Sequence, residues 1–63
     1  EMLDAIIKRY EAQIAEAQAT IDIYLNNSVG IGEHPQHIEE LDKLFGKIAE
    51  AEDKLKIVER WED

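Results

Sequence analysis

His34, His37 and Glu40, set three residues apart, form the densest cluster in the chain that could do chemistry. On the first turns of a helix, this spacing brings imidazole and carboxylate within reach of one ion, a donor set suited to zinc or another divalent transition metal. The facing segment would have to complete the shell, and at that level it offers only Asp22, Asn26 and Asn27. The Glu-x-x-His pattern of di-iron bundles is missing, because the residue three before His37 is His34. A helix start rich in acids has a plainer meaning, since carboxylates in the first turns complement the helix dipole. The cluster reads as structural, with a metal site at His34, His37 and Glu40 as the alternative, and no cofactor is expected.

Other reactive patterns are fragmentary. Gly30-Ile31-Gly32 precedes a helix as a phosphate cradle does, but no strand comes before it and no Lys follows in register. The glycines fit a turn needing positive φ, with Val29 and Ile31 tucked over its end. Ser28 is the only serine and there is no cysteine, so a nucleophile with an oriented base is not assembled. No catalytic residue is assigned, and the chain reads as a non-enzyme.

The elements that must position these residues are two helices. Leu3, Ile7, Tyr10, Ile14, Ala17, Ile21 and Tyr24 recur in alternating steps of four and three, an unbroken heptad seam. Leu41, Leu44, Ile48, Ala51, Leu55 and Val58 repeat the rule, and Ile38 and Phe45 widen that stripe at its N-terminal half. Glu39–Lys43, Glu50–Lys54 and Glu52–Lys56 are acid-before-base pairs four apart, a spacing that supports helix. Asn26-Asn27-Ser28 through Pro35 breaks the pattern: Asn and Gly can end a helix, and Pro suits the first turn of the next. The pattern predicts helices near residues 2–26 and 35–61, joined as an antiparallel hairpin in one domain spanning 1–63.

The two seams also fit each other. With Ile21 facing Leu41, Ile14 faces Ile48, Ile7 faces Leu55 and Leu3 faces Val58, while Ala17 falls beside Leu44 and Phe45, and Tyr10 beside Ala51. Small thus meets bulky across the seam, which keeps core volume filled. Tyr10 and Tyr24 hold seam positions, so packing with the hydroxyl at the edge is their expected role.

Two helices cannot enclose a core. Sixty-three residues form one small domain, in which disulfides are excluded for want of cysteine, and a core this size rarely supplies more than ~3–5 kcal/mol. Met2, Ile6, Ile23, Leu25, Val29, Ile31, Ile57 and Trp61 find no partner within the hairpin. The expected remedy is self-association: a twofold dimer forming a four-helix bundle, with a tetramer as the larger alternative. Met2, Ile6, Ile23, Leu25, Ile57 and Trp61 are the interface candidates. Ala5, Ala12, Ala15 and Ala19 line another face of the first helix, and Gly46 sits mid-helix at a cost of ~1 kcal/mol against Ala.

Charge narrows the partners. Fifteen acids against seven Lys and Arg give a net −8, which opposes direct nucleic-acid binding by counterion release. An acidic protein can instead imitate nucleic-acid charge on a basic partner, an inhibitor reading that stands as the functional alternative. Against it, Lys43, Lys47, Lys54, Lys56 and Arg60 interrupt the acids, as on an ordinary solvated face. No apolar run nears the ~18 residues that span a bilayer, and no basic-then-apolar start suggests a signal peptide. A cytoplasmic protein without a membrane partner is expected.

Ile21-Asp22-Ile23-Tyr24-Leu25-Asn26-Asn27, continuing through Val29-Gly30-Ile31-Gly32-Glu33-His34-Pro35, resembles a segment of short proteins from marine tailed phages. The stretch Ile48 to Leu55 is similar in character, so the resemblance covers about half the chain, and the connector is its distinctive part. It implies a viral or environmental origin, and hence a host cytoplasm. It brings no function and no site residues. The overall expectation is an all-α, non-enzymatic hairpin that serves as a structural or protein-interaction module, with an unidentified protein as a further partner.

Overall fold

The computed structural model describes residues 1–26 and 36–62. Helix α1 spans Met2–Asn26 and helix α2 spans Gln36–Val58, and a 3₁₀ turn, Glu59–Trp61, continues the second helix. The two helices pack against each other as a hairpin, 48 Å long and 16 × 13 Å across. Among the described residues there is no strand.

Both helices rest on local chemistry that suits them. Asp4 lies in the first turn of α1, Glu39 in the first turn of α2 and Lys56 in the last turn of α2, each with the sign that opposes the helix dipole. The first turn of α1 is closed by the Ala5 amide donating to the Glu1 carbonyl at 3.1 Å. At the other end of the chain, the Glu62 amide donates to the Glu59 carbonyl at 3.2 Å and closes the 3₁₀ turn. Glu50 and Lys54 form the expected pair four apart, at 3.7 Å. Lys43 reaches Glu40 at 3.4 Å, three residues back, rather than Glu39. Glu40 is half-buried beside the seam and Glu39 is exposed, while the Lys43 side chain itself stays 74% exposed.

The heptad seam is where the helices meet. Ala17, Ile21 and Ala51 are buried, and Ile7, Tyr10, Ile14, Tyr24, Leu41, Leu44, Ile48, Leu55 and Val58 are half-buried. Leu3, at the free end of the seam, is exposed. Two aromatic contacts mark the register. Tyr24 meets His37 edge-on, with ring centroids 5.8 Å apart and planes at 63°, and the Lys54 ammonium stands 5.5 Å from the Tyr10 ring centroid. Pairing Ile21 with Leu41 sets Tyr24 opposite Ile38 and Tyr10 opposite Glu52. The observed partners lie one and two residues from those positions, as neighbours across a seam do.

The fold departs from expectation at the widened stripe of α2. Ile38 is 73% exposed and Phe45 is 55% exposed. Both lie beside the seam, but a hairpin has no third layer to cover that side. Of the residues expected to lack a partner, Met2, Ile23, Leu25, Ile57 and Trp61 are exposed, and Ile6 is half-buried. Val29 and Ile31 lie outside the described residues, as do Ser28, the Gly30-Ile31-Gly32 turn and Pro35.

Candidate interaction surface

The seam divides the hairpin surface into two flanks and two backs. Heptad positions assign each residue to one of them, and burial shows how the flanks differ. On α1, Ile6, Gln13 and Thr20 run along one side of the seam, and all three are half-buried. Gln13 and Thr20 line an open groove together with Ala17, Leu44 and Lys47, which places Lys47 on the same side. Lys54 follows Lys47 by one heptad and stretches over the Tyr10 ring. Long polar side chains thus cover this flank, laying apolar stems on the seam while their heads stay wet. The Thr20 hydroxyl is used locally, donating to the Glu16 carbonyl at 3.0 Å.

The opposite flank is formed by Asp4, Glu11, Gln18 and Leu25 of α1 and by Ile38, Phe45, Glu52 and Glu59 of α2. All eight are exposed. They form four rungs across the hairpin in the register above: Leu25 with Ile38, Gln18 with Phe45, Glu11 with Glu52, and Asp4 with Glu59. The half of the flank near the connector is therefore apolar, and the half near the termini is acidic. Leu25 is 61% exposed, so the first two rungs hold three large side chains facing water beside the half-buried Ile14, Leu41 and Ile48.

The expected interface residues do not form one patch. Met2, Ile6 and Trp61 lie on the polar flank at the terminal end, with Ile57 behind them on the outer side of α2. Ile23 lies on the outer side of α1, and Leu25 alone falls on the open flank. Ile38 and Phe45, which widen the apolar stripe of α2, belong to the open surface instead. The signal for them was present: Ile38, Leu41, Phe45 and Ile48 form a second run with steps of three, four and three, offset from the first.

The backs of the helices are small and uncovered. Ala5, Ala12 and Ala19 face away from α2 and are exposed. Gly46 faces away from α1, and a methyl group added there would meet nothing within 4 Å. Within the hairpin, Gly46 serves no close approach.

His37 and Glu40 stand on the first turns of α2, in a shallow hollow with Tyr24 and Lys43. His37 packs across the helix interface against Tyr24, and Glu40 pairs with Lys43 of its own helix. His34 lies outside the described residues. Among the described residues, no group of three His, Cys, Asp or Glu side chains is arranged to hold a metal ion. No described helix is long and apolar enough to cross a membrane.

Compared with protein-family models, curated proteins and solved structures, the chain matches none of them. The connector that carries the resemblance to phage proteins falls mostly in residues 27–35, outside the described residues.

Proposed function

We propose that the chain is a non-enzymatic, self-associating helical hairpin, a homodimer that serves as a structural or protein-interaction module. The observation that carries this reading is its surface area. A folded monomer of 7.3 kDa is expected to expose about 4,200 Å². The hairpin exposes 5265 Å², an excess of about 1,100 Å² over that scaling. A standard dimer interface removes about 800 Å² from each partner, so the excess is of the size that one contact with a second copy would cover.

The surface composition supports the same reading. Among the described residues only Ala17, Ile21 and Ala51 are buried, while three large apolar side chains lie together on one flank. Such a flank offers contact area rather than an enclosed pocket, which suits a partner more than a small substrate. Sedimentation velocity at micromolar concentration tests the reading. A mass near twice that of the chain is the expected result, and a folded monomer across the concentration range would overturn it.

A further inference from the structure

Resting on that self-association, we infer which surface the second copy occupies and how it is oriented. It docks on the open flank, over Leu25, Ile38 and Phe45, and the two hairpins run in opposite directions with only their connector halves overlapping.

The rung pattern leads to this arrangement. A twofold axis along the hairpin would place like rungs at the same level. Glu11 and Glu52 of both copies would then form one layer of four carboxylates, and Asp4 and Glu59 a second. Like charges held together in a dry interface oppose association. Opposed hairpins in full overlap avoid that clash but press each acidic half onto the partner's apolar half, which strips water from carboxylates and offers no cation in its place. Opposed hairpins staggered to the connector half avoid both costs. Leu25, Ile38 and Phe45 meet their counterparts around the twofold axis, and the acidic rungs project past the partner into water. Area and charge thus agree on a second copy as occupant: the apolar half is self-complementary, and the acidic half limits how far the overlap extends.

The polar flank is a poorer docking surface. Gln13, Thr20, Lys47 and Lys54 already occupy its centre, and its apolar members Met2 and Trp61 lie at the terminal end. The outer backs hold Ala and Gly46, and their large apolar groups, Ile23 and Ile57, stand apart at opposite ends of different helices.

Orientation can be read independently of affinity. Opposed hairpins stack α1 on the partner's α1, and with the axis between the two apolar rungs Gln18 lies over the partner's Leu25. Parallel hairpins stack α1 on the partner's α2, and Gln18 would lie over the partner's Phe45. The chain has no cysteine, so an introduced pair of thiols reports cleanly.

Four variants of the full chain test the inference by sedimentation velocity, with helicity checked by circular dichroism. Phe45→Lys and Ile38→Lys should each yield a helical monomer, and Trp61→Lys should remain a dimer. The double variant Gln18→Cys/Leu25→Cys should form intermolecular disulfides under mild oxidation, Cys for Gln18 of one copy against Cys for Leu25 of the other. If Phe45→Lys loses helicity, Ile38→Lys carries the reading, because its side chain is the more exposed. A monomeric wild-type chain would overturn the proposed function itself. A dimeric wild type whose Phe45→Lys and Ile38→Lys variants stay dimeric, or whose Trp61→Lys variant dissociates, would overturn the choice of flank alone. Failure of Gln18→Cys/Leu25→Cys to link in a chain that Phe45→Lys renders monomeric would overturn the opposed orientation.

Discussion

The two flanks of the seam start from the same helices and end differently. On one side, Gln13, Thr20, Lys47 and Lys54 lean over the interface, and Lys54 closes on Tyr10. On the other, the equivalent positions hold Gln18, Leu25, Ile38 and Phe45, none of which reaches across to cover the seam. A two-helix unit can finish a flank by laying long polar side chains along it, or leave the flank to another chain. This hairpin does the first on one side and, in our reading, the second on the other. The lesson is that a flank rich in Lys and Gln marks an edge already solvated, whereas short acids and bulky apolar groups at the same positions leave the seam accessible.

The contact common to both flanks sets the scale, and its loss should be the largest effect. Ile21 is 6% exposed, and shortening a buried Ile to Ala costs ~2–5 kcal/mol. A core supplying ~3–5 kcal/mol in total would scarcely survive it. Ile21→Ala should therefore lose most of its helical signal at 25 °C. A melt like that of the wild type would mean that the seam is not what holds the hairpin together.

The next effect separates the flanks directly. Gln18 interrupts the apolar half of the open flank beside Phe45, and Thr20 holds the corresponding level of the polar flank. Gln18→Leu should tighten the dimer roughly tenfold, equivalent to ~1.4 kcal/mol. Thr20→Leu should leave the dissociation constant unchanged within about threefold, a difference of ~0.7 kcal/mol. Equal responses, measured by dilution in the analytical ultracentrifuge, would remove the distinction between the flanks.

Much of this architecture was legible in the sequence, and the exception has a clear cause. The steps from Leu3 to Tyr24 and from Leu41 to Val58 determine which faces meet, because a side-chain period fixes direction around a helix. The same period cannot say how many layers enclose that face. Ile38 and Phe45 lie one position off the seam, where a third helix would bury them and a hairpin leaves them wet, so counting them with the core assumed a layer that one chain does not contain. The ion pairs show a similar limit. Spacing allowed Lys43 to reach Glu39 or Glu40, and only the structure shows that it reaches Glu40. Chemistry was less legible than fold, because the His34, His37 and Glu40 spacing serves a helix start as well as a metal shell. In the structure, His37 and Glu40 are engaged with Tyr24 and Lys43.

A smaller gain is expected on the back of α2, where neither flank is involved. Gly46 faces open space, and Ala in a helix interior is favoured over Gly by ~1 kcal/mol. Gly46→Ala should raise the melting temperature by about 4–8 °C for a domain of this size and leave the dissociation constant unchanged. A weakened dimer would place Gly46 inside the interface and move the docking surface from the flank to the back of the helix.

The smallest effect examines how the polar flank is finished. Lys54 makes two contacts, with the face of Tyr10 and with Glu50, and its side chain is 46% exposed. An exposed cation over an aromatic ring contributes ~0.5–1 kcal/mol, and an exposed pair four apart contributes ~0.3–0.5 kcal/mol. Lys54→Met keeps the apolar stem and removes the charge, so it isolates these two terms from simple coverage of the seam. The two terms sum to about 0.8–1.5 kcal/mol, and a loss toward the lower end is expected because one exposed ammonium serves both contacts. Lys43→Met, which gives up only an ion pair with Glu40, should lose less, about 0.2–0.5 kcal/mol. If the two variants melt alike, the ammonium contributes nothing over Tyr10 and the flank is covered by Lys54's methylenes alone. The polar flank would then be closed by the same apolar contact that the open flank reserves for a second copy, and the two would differ only in whose carbon atoms supply it.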